Sequence, residues 1–115
     1  MDPVFKHNLF AQIPGGLAGR DEFHEILTKN PHARVERIVS RGHASPPDFW
    51  YDQQETEWVL VVAGRARLRF EGDRVLELGP GDHVHIPPRT RHRVDWTDPS
   101  CDTVWVALFL SSDSA

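Results

Sequence analysis

The sequence predicts an all-β fold, read as a sandwich or a small barrel. Three observations predict it. Short segments alternate apolar and polar residues, the signature of half-buried strands. Glycine, proline, asparagine and aspartate clusters separate them. From Arg34 onward, seven or eight such strands recur at intervals of roughly ten residues.

In chain order, the first thirty residues are mostly irregular. "IPGGLAGRDEF" carries Pro14, Gly15, Gly16 and Gly19, all loop signals. "EFHEILTKNP" is too short for periodicity to separate a strand from one helical turn, and Asn30-Pro31 closes it. "ARVERIVS" then alternates Val35, Arg37 and Val39 against Glu36, Ile38 and Ser40. "GHASPPD" breaks the chain. "EWVLVVAG" is a mostly apolar strand ending at Gly64. "RARLRFEG" sets Arg65, Arg67 and Arg69 on one face and Ala66, Leu68 and Phe70 on the other. Glu71-Gly72-Asp73 is a hairpin turn leading into "RVLELGPGD", which ends in turn residues. "HVHIP" and "RHRVDW" are strands joined by a turn at residues 87–90, and "TVWVALFL" is the last strand.

A chain of 115 residues is one domain's length and can bury a core without staples. Its 39% hydrophobic and 26% charged content is that of a soluble globular protein. The longest apolar run, Trp58 to Ala63, is far short of a membrane span, and the first residues lack a basic segment followed by an apolar one. One cysteine, Cys101, excludes an internal disulfide and suits a reducing cytoplasm. The net charge of −4 gives no reason to expect nucleic acid or an anionic membrane as a partner. Arg65, Arg67, Arg69, Arg91 and Arg93 form an outward basic face, but Glu71, Asp73 and Glu77 are near enough in sequence to neutralise it. Outward apolar residues such as Trp58, Leu60 and Val62 ask to be covered, which points to a homodimer.

Two spacings carry a resemblance. Glu57 is followed by six residues and Gly64; Gly81 is followed by five residues and Pro87, with His92 five further on. This resembles the cupin family, whose fold is a double-stranded β-helix, or jelly-roll barrel. Its first motif reads Gly, five residues, His-x-His, three or four residues, Glu, six residues, Gly. Its second reads Gly, five residues, Pro-x-Gly, two residues, His, three residues, Asn. The two histidines and glutamate of the first motif, with the histidine of the second, typically hold a divalent metal inside the barrel. Here Arg89 stands where the second motif has Gly, and Trp96 where it has Asn. Both histidines of the first motif are absent. Counting back from Glu57 places them on Trp50 and Asp52 in one register, and on Tyr51 and Gln53 in the other.

The resemblance divides the chain into an N-terminal extension over 1–33, a cupin barrel over 34–111 and a tail over 112–115. It implies a zinc, manganese, iron or nickel ion on His92 and Glu57. Asp52 completes the set by offering an oxygen in place of a histidine, or Gln53 does in the other register. A carboxylate alternating with Val59 and Val61 is costly unless paired or bound to metal. Tyr51 is the candidate proton carrier. Phe49, Trp50 and Trp96 are the candidate lining of the pocket mouth. His83 and His85 share a strand face, as two metal ligands should, but Val84 and Ile86 are the better core residues, so the histidines are placed outside. Three readings stay open on this sequence: a metal-holding barrel acting on or sensing a small polar molecule, a metal-free ligand-binding barrel, and a module without catalysis.

Overall fold

The computed structural model describes residues 4–111, so the tail over 112–115 lies outside the described residues. Eight strands form two antiparallel sheets: β1 Phe23–Asn30, β2 Ala33–Ser40, β3 Thr56–Ala63, β4 Ala66–Phe70, β5 Arg74–Leu78, β6 His83–Ile86, β7 His92–Thr97 and β8 Thr103–Leu110. The larger sheet runs β1-β2-β8-β3-β6 and the smaller β5-β4-β7. No helix long and apolar enough to cross a membrane occurs among the described residues.

Alternation sets which side chains meet between the sheets. On β3, Val59 and Val61 are buried while Trp58, Leu60 and Val62 are half-buried on the outside. On β8, Trp105, Ala107 and Phe109 turn inward against them. The smaller sheet adds Ala66, Leu68 and Leu78, and β6 adds Ile86, which is 2% exposed. Each of the valine, leucine, isoleucine and phenylalanine side chains among them contributes roughly 1.5–3 kcal/mol when fully buried. Because Ile86 and the half-buried Val84 pack on this core, His83 and His85 stand exposed on the outer face, as the register predicts. There Trp58 donates its indole N–H to His83 Nδ1 at 3.2 Å.

The N-terminal segment divides differently from the expectation. "FHEILTKN" is a full strand, β1, hydrogen-bonded along β2 as the edge of the larger sheet. The sheet therefore begins at Phe23, ahead of the boundary expected at residue 34. Upstream of it, Leu17 packs on Val39 and Val104, with Leu9, Ile13 and Phe23 around them. Arg37, 3% exposed, ties this segment down by donating to the carbonyls of Leu9 and Ala11 and pairing with Glu25 at 3.0 Å.

Gly64 closes the turn between β3 and β4 with φ of +86°. A Cβ there would press onto Thr103 and lie 2.7 Å from the carbonyl oxygen of Asp102. Glycine meets both demands.

Candidate functional site

The site is set by how residues 51–53 return to the chain ahead of β7. Tyr51 N–H donates to the His92 carbonyl at 2.7 Å, and His92 N–H to the Tyr51 carbonyl at 3.1 Å. Arg89 N–H donates to the Gln53 carbonyl at 2.8 Å. This antiparallel bridge puts Tyr51, Gln53 and His92 on the inner side. Asp52, between them, turns the other way.

Inside the barrel is a cavity of about 80 Å³. Its polar wall is Glu22, His24, Tyr51, Gln53, Glu57 and His92. Its apolar wall includes Val59, Leu68, Ile86, Trp105 and Phe109. Glu22, His24, Tyr51 and Val94 also line an outer cleft of about 450 Å³, which His43 and Ser45 extend. No arginine or lysine lines either space among the described residues.

His92 is held on all sides. Its side chain is 5% exposed, and its ring stacks on Tyr51 with centroids 5.4 Å apart and 25° between planes. Phe70 lies 5.9 Å away on an adjoining strand. Nδ1 is 2.8 Å from the Thr90 carbonyl, and Nε2 is 3.3 Å from Glu57 Oε1. A carbonyl oxygen only accepts, so Nδ1 carries a proton, while Nε2 faces the Glu57 carboxylate. Burial pulls the His92 imidazole down; the hydrogen bonds to Glu57 and Thr90 outweigh it and hold the group above its ordinary value of 6.5. Gln53 donates its amide to the same Glu57 oxygen at 3.2 Å. The arrangement can lend a proton from His92 Nε2 to a bound oxygen and take it back. The Tyr51 hydroxyl has no hydrogen-bond partner among the described residues. Burial, then the carboxylates of Glu22 and Glu57, push it up.

His92 and Glu57 by themselves fall short of the usual protein ligand set of a divalent metal. His92 offers one nitrogen, Nε2, toward Glu57, since Nδ1 is engaged by the Thr90 carbonyl. Catalytic zinc sites of the usual kind take three protein ligands. No group of three His, Cys, Asp or Glu side chains is arranged to hold a metal among the described residues. The third polar group beside His92 and Glu57 is the Gln53 amide, which here donates.

Four residues expected at the site lie elsewhere. Asp52 does not approach His92. It is 42% exposed and pairs with Arg89 at 3.3 Å, because it sits between two inward residues of a bridged segment. Trp96 does not line the pocket. The ladder between β4 and β7 shifts by one residue, pairing Leu68 with Val94 but Arg67 with Trp96, so both Asp95 and Trp96 face outward. There Asp95 bonds Arg69 and Arg93, and the Arg67 guanidinium lies 5.6 Å from the Trp96 ring. Trp50 is likewise outside, 5.4 Å from the Arg91 guanidinium, and Phe49 packs edge-on against Tyr51 at 4.9 Å without reaching the cavity. Sequence reasoning also missed Glu22 and His24. Their i, i+2 spacing at the start of "EFHEILTKNP" was the available signal, but only the return of β1 to β2 brings them to the cavity.

Comparisons with known proteins agree with this fold. The cupin domain model matches residues 36–109. A crystal structure from Ralstonia eutropha JMP134, of a protein provisionally named a mannose-6-phosphate isomerase, is 44% identical, with 94% of this chain and 99% of that one covered and a TM-score of 0.88. A cupin protein from Bacteroides fragilis is 18% identical over 100% of this chain and 90% of its own, with a TM-score of 0.69. A cupin 2 conserved barrel domain protein from Salinispora arenicola CNS-205 is 23% identical over 79% and 76%, with a TM-score of 0.64. No curated protein matches the chain. With its domain model matched over most of the chain and its two sheets closed on one another, the protein belongs to the cupin family.

Proposed function

We propose that this cupin binds a small polar molecule in its barrel without a resident metal, with His92 and Glu57 as the paired proton donor and acceptor. The observation that supports the reading is the third polar group beside the His92–Glu57 contact of 3.3 Å: it is the Gln53 amide, donating to Glu57, and no third His, Cys, Asp or Glu joins them among the described residues. A metal would have to recruit a third strong ligand. The cavity suits a molecule of few atoms, or the head of one whose remainder lies in the outer cleft. The name of the Ralstonia relative suggests a sugar phosphate, but phosphate is usually met by arginine or lysine, and neither lines these spaces.

A second reading, with metal, has one observation in its favour. A hydrogen bond from Nδ1 to a backbone carbonyl is the usual way to aim Nε2 at a metal. Titration with Zn²⁺, Mn²⁺, Fe²⁺ and Ni²⁺ of protein first treated with chelator separates the two. The proposed function expects no saturable rise in melting temperature. A rise that His92→Ala abolishes overturns it. A cytoplasmic location and a homodimer belong to the same reading. The single Cys101 supports the first, and the half-buried outer residues Trp58, Leu60, Val106 and Leu108 support the second, with sedimentation equilibrium as its test.

A further inference from the structure

The cavity is walled by two imidazole–carboxylate pairs, and only one belongs to the family's motif positions. The second is His24 and Glu22, delivered by the start of β1. His24 Nε2 lies 3.3 Å from Glu22 Oε1, and its Nδ1 lies 3.5 Å from Glu36 Oε1. This pair is built rather than incidental. Ser40, 0% exposed, donates its hydroxyl to the other Glu22 oxygen, and Trp105 donates its indole N–H to Ser40 Oγ at 3.1 Å. Glu36, behind His24, is in turn held by Arg34 at 2.6 Å. Glu22 is therefore fixed in orientation, with its side chain 18% exposed.

We propose that Glu22–His24 is the second half of the binding site, and that the ligand spanning both pairs is a small uncharged compound bearing several hydroxyl groups. This rests on the metal-free reading above. Charge matching gives the class. Each carboxylate on the wall already has an imidazole 3.3 Å away, and the half-exposed His24 also faces Glu36. No other cationic side chain lines the cavity among the described residues. An anionic ligand would meet two carboxylates and no arginine or lysine, and a cationic one would compete with the imidazoles already beside those carboxylates. Hydroxyl groups, which donate and accept, suit a wall that offers carboxylate acceptors, imidazole nitrogens and the unpartnered Tyr51 hydroxyl.

The test uses three compounds of one carbon skeleton: glycerol, its 2-amino analogue serinol, and glycerate. Each is titrated into chelator-treated protein while the ring signals of His24 and His92 are followed by NMR. The expected result is that glycerol moves both histidines along one saturation curve, and that serinol and glycerate bind at least tenfold more weakly. Glu22→Gln and His24→Gln should each weaken glycerol at least tenfold while keeping the melting temperature near that of the parent. If glycerol moves His92 but leaves His24 still in the unaltered protein, the second half of the site is refuted, whether or not the variants fold. Tighter binding of serinol or of glycerate refutes the charge class. If none of the three binds until zinc is added, the metal-free reading itself has failed.

Discussion

Replacing Glu57 by Gln isolates the pair at the centre of this site. In the parent protein, two opposing effects act on His92: burial lowers its proton affinity, and the hydrogen bonds to Glu57 and Thr90 raise it further. Glu57→Gln keeps the shape and removes the charge. Burial then dominates, and the His92 pKa falls from above 6.5 to below it. The stability consequence follows in sign. In the parent, the folded pKa lies above the unfolded one, so this pair's contribution is full below about pH 6.5 and fades as pH rises through the raised value. In Glu57→Gln the order is reversed: burial of a charged His92 penalises the fold at low pH, and stability grows as pH rises from the lowered pKa to about 6.5. Each unit of separation corresponds to about 1.4 kcal/mol. The complementary change, His92→Leu, strands the Glu57 carboxylate, whose side chain is 13% exposed, with only the Gln53 amide. Breaking a buried pair from one side costs roughly 3–5 kcal/mol. For a domain of this size that lowers the melting temperature by roughly 10–20 °C. Ring-proton NMR across pH 5–9 reads the pKa, and urea melts at several pH values read the stability. A His92 pKa that stays above 6.5 in Glu57→Gln, or a His92→Leu protein as stable as the parent, would refute the pairing.

Other consequences follow from backbone geometry. Gly64→Ala places a methyl on Thr103 at a φ of +86°, so left-handed strain of about 1–2 kcal/mol adds to overpacking of about 1–3 kcal/mol; a loss under about 1 kcal/mol by urea melt would contradict the close approach. Arg89, at the family's glycine position, has φ of 59°. Arg89→Gly relieves about 1–2 kcal/mol of strain, offset by the looser unfolded chain and the exposed pair with Asp52, so stability should hold or rise by up to about 1 kcal/mol. Asp52→Ala should change stability by less than about 0.5 kcal/mol; a loss of several kcal/mol, or of ligand binding, would return Asp52 to the site.

The strand pattern and the spacings Glu57–Gly64 and Gly81–Pro87–His92 were legible because they are local and repeat with period two. From them follow the inner positions of His92 and Glu57 and the outer positions of His83 and His85. What the sequence left open depends on contacts between distant segments. The choice between Asp52 and Gln53 is made by the backbone bridge of Tyr51 to His92, forty-one residues apart in sequence by their numbering. The exclusion of Trp96 comes from a one-residue ladder shift that alternation alone does not reveal. Glu22 and His24 reach the cavity only because β1 folds back on β2, and Glu22 is oriented by Ser40 and Trp105 from two other strands. The pair of Arg89 with Asp52 joins two departures from the family pattern, one in each motif, that look unrelated in the sequence.

Metal content tests the central claim most directly. Protein purified without chelator is measured by elemental analysis, and a crystal of the same preparation is measured for anomalous scattering. The metal-free reading predicts far less than one transition-metal ion per chain and no anomalous peak between His92, Glu57 and Gln53. One ion per chain, scattering beside His92 and lost in His92→Ala, would contradict it.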